Sequence, residues 1–364
     1  MDKLRSIAVA VLVTIALFGA VSQAAAEEYY KGKTITIVVP HGPGGGADRV
    51  SRLLAEYLPK HLPGSPRVVL RYMLGGQSLV ASNWFYNSAP KDGTVIMTGS
   101  GVVAVNSLVK TQGVEYDTRD FPVIMAFPVG VITYANGGKV PSATEFFDRS
   151  KDLIYGGNPM PWTNTIHFEL AKEVLGFEVA NSIHGYDTGT GRTAFLSGEI
   201  DMTVEGVAHY AGSIMPLAEK GEVTPLWQSG ITGESGKLER LSMISDVPTV
   251  REFYVQQFGK EPEGETEKVL NIFEWYSAYI RTFNKPIYLP PGAEDILAHL
   301  DEGVASMMSD PDFQAASEKI LLGAQIYTGE SAKKVRADIL ANSEEAIPWL
   351  RNWLSSEYGV KINE

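Results

Sequence analysis

The chain has 364 residues, no cysteine, 44% hydrophobic composition and a formal net charge of −12. Without cysteine there is no disulfide framework, thiolate zinc site or cysteine nucleophile. The acidic balance argues against nucleic acid, whose phosphates demand a basic face, and the length suggests two domains rather than one.

The amino terminus sets the expected compartment. Lys3 and Arg5 make a positive start, residues 7–21 are almost unbroken apolar sequence, and Ala24-Ala25-Ala26 precede Glu27. This is the three-part pattern of a cleaved secretory signal over residues 1–26. The apolar stretch is short for a membrane span, which needs about 20 residues, so a retained anchor is the weaker alternative. Cleavage removes Asp2, Lys3 and Arg5, a net +1, and leaves −13. A periplasmic protein is expected.

Strands then alternate with helical patterns, which implies an α/β fold with a largely parallel sheet. Residues 35–39 form a β-branched run suited to a buried strand, and 40–46 a turn. Val50, Leu53, Leu54, Tyr57 and Leu58 recur at helical spacing, and Pro59 is expected to stop that helix. A second strand at 67–72 leads through Leu74-Gly75-Gly76-Gln77 to a helix near Ser78. A third, at 94–98, ends in Gly99-Ser100-Gly101 before another helix. In open α/β sheets the ligand crevice lies outside the carboxyl ends of the strands. Glycines also serve simply to close turns, but three such turns on one sheet edge point to a shared site.

A second group of units follows. A strand at 153–155 runs into Gly156-Gly157-Asn158-Pro159 and a polar turn through Trp162, Thr163 and Asn164. A helix with Leu170, Ala171, Val174 and Leu175 on one face comes next, then a short helix ending at Gly198. The strand at 200–204 ends at Glu205-Gly206. Residues 230–264 read as long loops with short helices, and 275–280 as a buried strand. The last third is helical, with Pro290-Pro291-Gly292 opening one helix and Trp349 and Trp353 stapling the last.

The chemistry is sparse. Gly42-Pro43-Gly44-Gly45-Gly46-Ala47 formally matches the G-x-G-x-x-A dinucleotide fingerprint. Pro43 inside the turn and the secretion signal count against it, although Arg71 stands where a 2′-phosphate would want an arginine. A P-loop fails because Ala47-Asp48 occupies the Lys and Ser/Thr positions. The 98–102 segment lacks both outer glycines of a nucleophile elbow. His41, His61, His167, His184, His209 and His299 show no metal-ligand spacing. No cofactor, metal or catalytic group is expected, and a secreted enzyme would need a constellation that the sequence does not offer. What remains is anion recognition by backbone. Consecutive glycines let N–H groups converge on a guest, and the start of the helix near Ala47 adds a favourable field. A valine at Gly45 is expected to block that approach and to resist a positive φ there. Asp48 in the first turn is expected to satisfy helix N–H groups rather than touch ligand.

At this point six segments, in order, resemble the periplasmic receptors of the tripartite tricarboxylate transporters. The first, Lys33-Thr34-Ile35-Thr36-Ile37-Val38-Val39-Pro40-His41-Gly42-Pro43-Gly44-Gly45-Gly46-Ala47-Asp48, is similar to that family's opening strand and glycine loop. Ala89-Pro90-Lys91-Asp92-Gly93-Thr94, Gly99-Ser100-Gly101, Leu196-Ser197-Gly198-Glu199-Ile200-Asp201-Met202, Asp246-Val247-Pro248-Thr249-Val250 and Trp275-Tyr276 resemble five later ones. The resemblance runs from about Tyr30 to the carboxyl terminus. It implies a two-lobed type II periplasmic binding fold with crossover strands near 127–131 and 275–280. The lobes would comprise 27–129 with 275–364, and 130–274. It implies a small carboxylate ligand, permease subunits of a tripartite transporter as partner, and a monomer. A membrane sensor kinase is the alternative partner.

Carried over, the family's ligand contacts fall on Gly44, Gly45, Gly46, Gly76, Gln77, Ser100, Gly101, Asn164 and Glu205. Departures accompany them. The second loop reads Tyr72-Met73-Leu74-Gly75-Gly76-Gln77, His184-Gly185-Tyr186-Asp187 replaces the family's P-Y-K-G, and His41 replaces a commonly aromatic residue. The 230–270 region is also longer than usual. Arg192 is a further departure, expected either to offer a planar donor pair to a ligand carboxylate or to be a solvated helix residue. Trp162 and Tyr186 are balanced between cleft lining and core packing.

Overall fold

The β-branched run after Lys33 forms β1 (Thr34–Val39), and α1 (Gly46–His61) buries Val50, Leu53, Leu54, Tyr57 and Leu58, the predicted stripe. Pro59 does not stop that helix. It sits in the last turn, where the chain needs only two more residues before turning extended at Leu62. The computed structural model describes residues 29–233 and 237–363, so the expected signal segment and its cleavage point lie outside the described residues. Among the described residues no helix is long and apolar enough to cross a membrane.

Two sheets organise the chain. β2 (Arg67–Tyr72) and β3 (Val95–Thr98) flank β1 in parallel, linked by α2 (Leu79–Ser88), with α3 (Gly101–Val109) after β3. β4 (Val123–Phe127) joins the same sheet, and the chain then enters the second at β5 (Val131–Asn136). There β6 (Ile154–Gly157), α4 (Thr163–Leu175), β7 (Asn181–His184), α5 (Thr188–Ser197), β8 (Met202–Gly206), α6 (Val207–Ser213) and β9 (Val223–Gln228) follow. A hairpin of β10 (Ile231–Thr232) and β11 (Leu238–Glu239) precedes α7 (Val250–Phe258) and α8 (Glu265–Thr282). β12 (Lys285–Tyr288) returns to the first sheet, and α9 (Leu297–Met308), α10 (Pro311–Leu321), β13 (Tyr327–Thr328), α11 (Gly329–Leu340) and α12 (Ala346–Tyr358) complete the chain.

The strand orders are β13-β4-β12-β3-β1-β2 and β7-β6-β8-β5-β9. Neither sheet is largely parallel. β12 and β13 run antiparallel to their neighbour β4 in the first, and β5 to its neighbours in the second. β5 and β12 do so on arriving from the other lobe rather than over a same-sheet helix, whereas β13 follows β12 within one lobe after α9 and α10.

The strand expected over 275–280 is also corrected. Those residues belong to α8, whose Val269, Leu270, Ile272, Phe273, Trp275, Tyr276, Tyr279 and Ile280 are all buried. A helix packed on several sides becomes apolar almost all round and locally imitates a buried strand. The second passage between lobes is therefore made by a helix and the short turn to β12.

Candidate functional site

Between the lobes lies a cavity of about 650 Å³. Its walls are helix starts. α1 begins at Gly46, α3 at Gly101 and α4 at Thr163, and all three openings line it. None is closed by a side chain, since Gly45, Ser100 and Trp162 make no capping hydrogen bond at the N-cap positions. Ser100 has the right chemistry to cap α3, yet its hydroxyl is paired at 2.8 Å with Nε2 of His41 instead. Ser78 stands 3.3 Å from the same nitrogen. The first N–H groups of such helices have no intrahelical acceptor and carry the positive end of the macrodipole. α5 is the exception on this wall. The Asp187 carboxylate accepts from the Thr190 N–H at 2.8 Å, and the Thr190 hydroxyl accepts from the Asp187 N–H at 3.0 Å, closing a capping box.

The cavity also collects cations. Arg49, Arg192, Arg281 and Lys285 line it, and Asp187 is the carboxylate among the lining residues described. Arg192 is neutralised within its own lobe, donating from Nε to Glu205 at 2.8 Å and again from Nη2. The other three have no carboxylate partner among the described residues. Arg49 donates from Nη2 to His209 Nε2 at 2.6 Å, which joins α1 of one lobe to α6 of the other. Arg281 is fully buried and donates to Asn164 Oδ1 at 3.1 Å and to the Thr163 carbonyl at 3.2 Å. Lys285 donates to the side chain and carbonyl of Asn284 at 2.5 and 3.3 Å. Nε of both Arg49 and Arg281 is buried without a protein acceptor.

Titration follows from this crowding. Lost hydration, then the charges of Arg281 and Arg49, hold the Lys285 ammonium down to about 7. Burial lowers Arg281 to about 10. Burial and Lys285 pull His41 down to about 4, and burial with Arg49, Arg192 and Lys285 does the same to His209. Both imidazoles are thus neutral at neutral pH, and His209 Nε2 accepts from Arg49. The site is electropositive inside an acidic protein.

The residues expected from the sequence divide into two groups. Gly44, Gly45, Gly46, Ser100, Gly101, Asn164 and Arg192 line the cavity together, as does Trp162. Gly76, Gln77, Glu205 and Tyr186 are not in its lining. Gly75, Gly76, Gln77 and Ser78 all have positive φ, a left-handed turn at the cavity's lip, where Gln77 Nε2 donates to the Met160 carbonyl at 3.4 Å. The Tyr186 hydroxyl donates to Glu199 at 2.6 Å, and its ring packs in the core of the second lobe. Glu205 is 2% exposed and is held by Arg192 and the Tyr134 hydroxyl.

The left-handed position of the glycine loop is Gly44 (φ 88°), not Gly45, whose φ is −78°. Resistance to a positive φ at Gly45 is therefore withdrawn. Asp48 does anchor the loop. It accepts from the Gly44 N–H at 2.8 Å and from Tyr72 and Arg52. Burial alone would raise its carboxyl, but these bonds hold it below the usual range.

No protein-family model matches the chain, and no curated protein matches it in sequence. Solved structures do match in shape. The periplasmic binding protein BugD superposes with a TM-score of 0.62 at 18% identity, over 91% of this chain and 99% of its own. An R. palustris protein solved with adipate gives 0.61 at 20%, over 91% and 98%. MatC from Rhodopseudomonas palustris, solved with bound malate, gives 0.59 at 18%, over 88% and 98%. The chain has the fold of a periplasmic binding protein. In that two-lobed fold the helix starts of both lobes face one cleft.

Arg49, Arg281, Lys285 and His209 escaped the sequence reading. For Arg49 there was a signal. A cation in the first turn of a helix opposes the macrodipole, so its place three residues after Gly46 is an anomaly in need of a reason.

Proposed function

We propose that the chain is an extracytoplasmic receptor that takes a small carboxylate-bearing organic anion between its lobes and delivers it to the permease of a tripartite-type transporter. One observation carries this reading: three helix starts without side-chain caps converge on a single interlobe cavity with three cations that have no carboxylate partner among the described residues. Such groups are costly to leave without acceptors, and an anionic guest supplies acceptors to all of them. The ligands of the similarly folded proteins, malate and adipate, have this chemistry.

The Ser100–His41 pair does not add up to a nucleophile system. His41 Nε2 is shared by two hydroxyls, and no carboxylate orients its other nitrogen among the described residues. Binding without chemistry is the reading that the geometry favours. Its test is to purify the secreted protein without refolding, identify any co-purifying compound by mass spectrometry, and screen mono-, di- and tricarboxylates by thermal shift. Ligand at a hundred times Kd stabilises by about 2.7 kcal/mol. A screen in which no carboxylate shifts the melting point overturns the proposal.

A further inference from the structure

Lys285 stands in a setting that disfavours an ammonium. It opens β12 and lines the interlobe cavity, half-buried. Its stem lies over the first residue of α1, where a methyl group on Gly46 would stand 2.9 Å from Cε. That is the positive end of a sixteen-residue helix, where a cation is destabilised. The groups around it add to the mismatch. Arg49 of α1 and Arg281 of α8 are cations without a carboxylate partner among the described residues, and His41 and His209 are neutral rings. The carboxylates on these walls are committed: Asp48 to the Gly44 N–H, Tyr72 and Arg52, Glu205 to Arg192, and Asp187 to the Thr190 N–H. The amine answers by shedding its proton. Lost hydration, then Arg281 and Arg49, bring it to about 7, so about half of it is free base at neutral pH. An ordinary lysine is free base to roughly one part in a thousand there. A free amine has two N–H donors, and two acceptors stand ready for them, the Asn284 side-chain oxygen at 2.5 Å and its carbonyl at 3.3 Å. The lone pair is then left for an electrophile.

We propose that Lys285 is a carbamylation site, at which dissolved carbon dioxide adds reversibly to the side-chain amine. The nitrogen lone pair attacks the carbon of carbon dioxide, and an N–C bond forms. One C=O π pair moves onto oxygen, and a proton leaves the nitrogen for water. A carbamate of charge −1 then stands where an ammonium would carry +1. The cavity favours that exchange. The uncapped starts of α1, α3 and α4 and the guanidinium groups of Arg49 and Arg281 all gain from an anion, and here the chain supplies it from its own lysine. The modification needs only the cavity and its free amine. Its consequence, that carbon dioxide competes with an anionic guest, rests on the receptor reading above.

Trapping on the full mature chain tests this. The protein is equilibrated with carbon-13-labelled bicarbonate, carbamates are fixed by alkylation with a trialkyloxonium salt, and peptide mass spectrometry locates the label. The amino-terminal amine, which also titrates near neutrality, is the control for trapping. At neutral pH Lys285 is expected to carry roughly tenfold or more of the label found on the exposed Lys60. At constant bicarbonate the occupancy follows the free amine. It should therefore fall below about pH 7 and level off above it, whereas Lys60 keeps gaining label toward roughly pH 10. Bicarbonate in place of chloride should raise the melting point of the wild-type chain and of Lys60→Met, but not of Lys285→Met. The labelling uses the wild-type chain, so it decides the matter even where Lys285→Met folds poorly. Lys285 unlabelled beside a labelled amino terminus, or labelled no more than Lys60, overturns the proposal and leaves the receptor reading intact. Equal thermal shifts in the wild type and Lys285→Met, with no label on Lys285, would mean that bicarbonate binds as a free anion, and would overturn it as well.

Discussion

The two walls of the cleft are built on opposite electrostatic plans. On the first lobe and the connecting helix, α1 and α3 open without side-chain caps, and Arg49, Arg281 and Lys285 have no carboxylate partner among the described residues. On the second lobe α4 also opens without a side-chain cap, but Asp187 and Thr190 close α5, and Glu205 holds both Arg192 and Tyr134. The arginine of the second wall is satisfied by its own carboxylate, and the cations of the first are not. A self-satisfied wall contributes shape and a fixed surface, whereas an unsatisfied one contributes attraction that only a guest completes. Arg49 and His209 join the two across the cleft without altering either balance, since His209 accepts as a neutral ring.

The largest effect should come from obstructing the unsatisfied wall. Beside Gly45 the nearest outside atom to an added Cβ is the Gly42 carbonyl at 3.8 Å, so the space is open, and its φ of −78° suits any residue. Gly45→Val should therefore fold normally and lose ligand-induced thermal stabilisation entirely, with its methyl groups standing where the guest approaches. Undiminished stabilisation would remove the glycine loop from the site. Next in size is unbalancing the quiet wall. Glu205→Gln leaves Arg192 without its counter-charge in a largely buried setting, which should cost the ligand-free protein about 3 kcal/mol in urea denaturation, as broken buried pairs do. Dianion affinity should not weaken, because a further free cation now faces the cleft. A loss below about 1 kcal/mol would mean that the two walls do not differ as described.

Much of this frame was legible in the sequence, for reasons that particular residues show. The α1 stripe and β1 to β3 follow from local periodicity, which tertiary context did not override. Gly44 to Gly46, Ser100, Gly101 and Asn164, which the family resemblance implies as ligand contacts, line the cavity, and for the glycine turns of the first lobe the rule that ligands gather at strand ends points the same way. The cations were not legible. Arg281 and Lys285 follow an apolar run that was read as a strand, and they reach the cavity through the way α8 and β12 pack, which no local pattern encodes. Gln77 and Glu205 differ in the opposite direction, standing outside the cavity lining. Their sequence positions suit the cavity, but Gln77 is turned to the lip by a left-handed backbone and Glu205 is drawn to Arg192.

pH separates the plans more gently. His41 and His209 titrate at about 4 in the folded protein and near 6.5 in an unfolded chain. Between those values the unfolded chain binds more protons, so stability should fall as pH drops from about 6.5 toward 4. Lys285 acts on the alkaline side. Its folded value of about 7 lies below the roughly 10.4 of an unfolded lysine, so ligand-free stability should rise as pH climbs through that window. Thermal unfolding across pH, with His209→Gln and Lys285→Met as references, reads both slopes. An acid slope unchanged in His209→Gln, or an alkaline slope unchanged in Lys285→Met, would assign those protons elsewhere.

The smallest expected effect lies at Asp187, where the cap of the self-satisfied wall touches the cavity itself. Its carboxylate does two things that substitutions can separate: it accepts the Thr190 N–H at 2.8 Å, and it places a negative charge beside an anion site. Asp187→Ala removes both, and loss of an N-cap acceptor costs about 1 kcal/mol. Asp187→Asn keeps an oxygen at the cap and removes only the charge, so stability should change by no more than a few tenths of a kcal/mol. Both variants should bind a dianion slightly more tightly, by about twofold, since a partly exposed like charge is worth only a fraction of a kcal/mol. Denaturation and calorimetry together decide the matter. Equal destabilisation by Ala and Asn would show that the charge on the helix start, not the hydrogen bond, sustains α5. Weaker binding in Asp187→Asn would mean that this carboxylate accepts a donor from the ligand, and that the second wall is not indifferent to its guest after all.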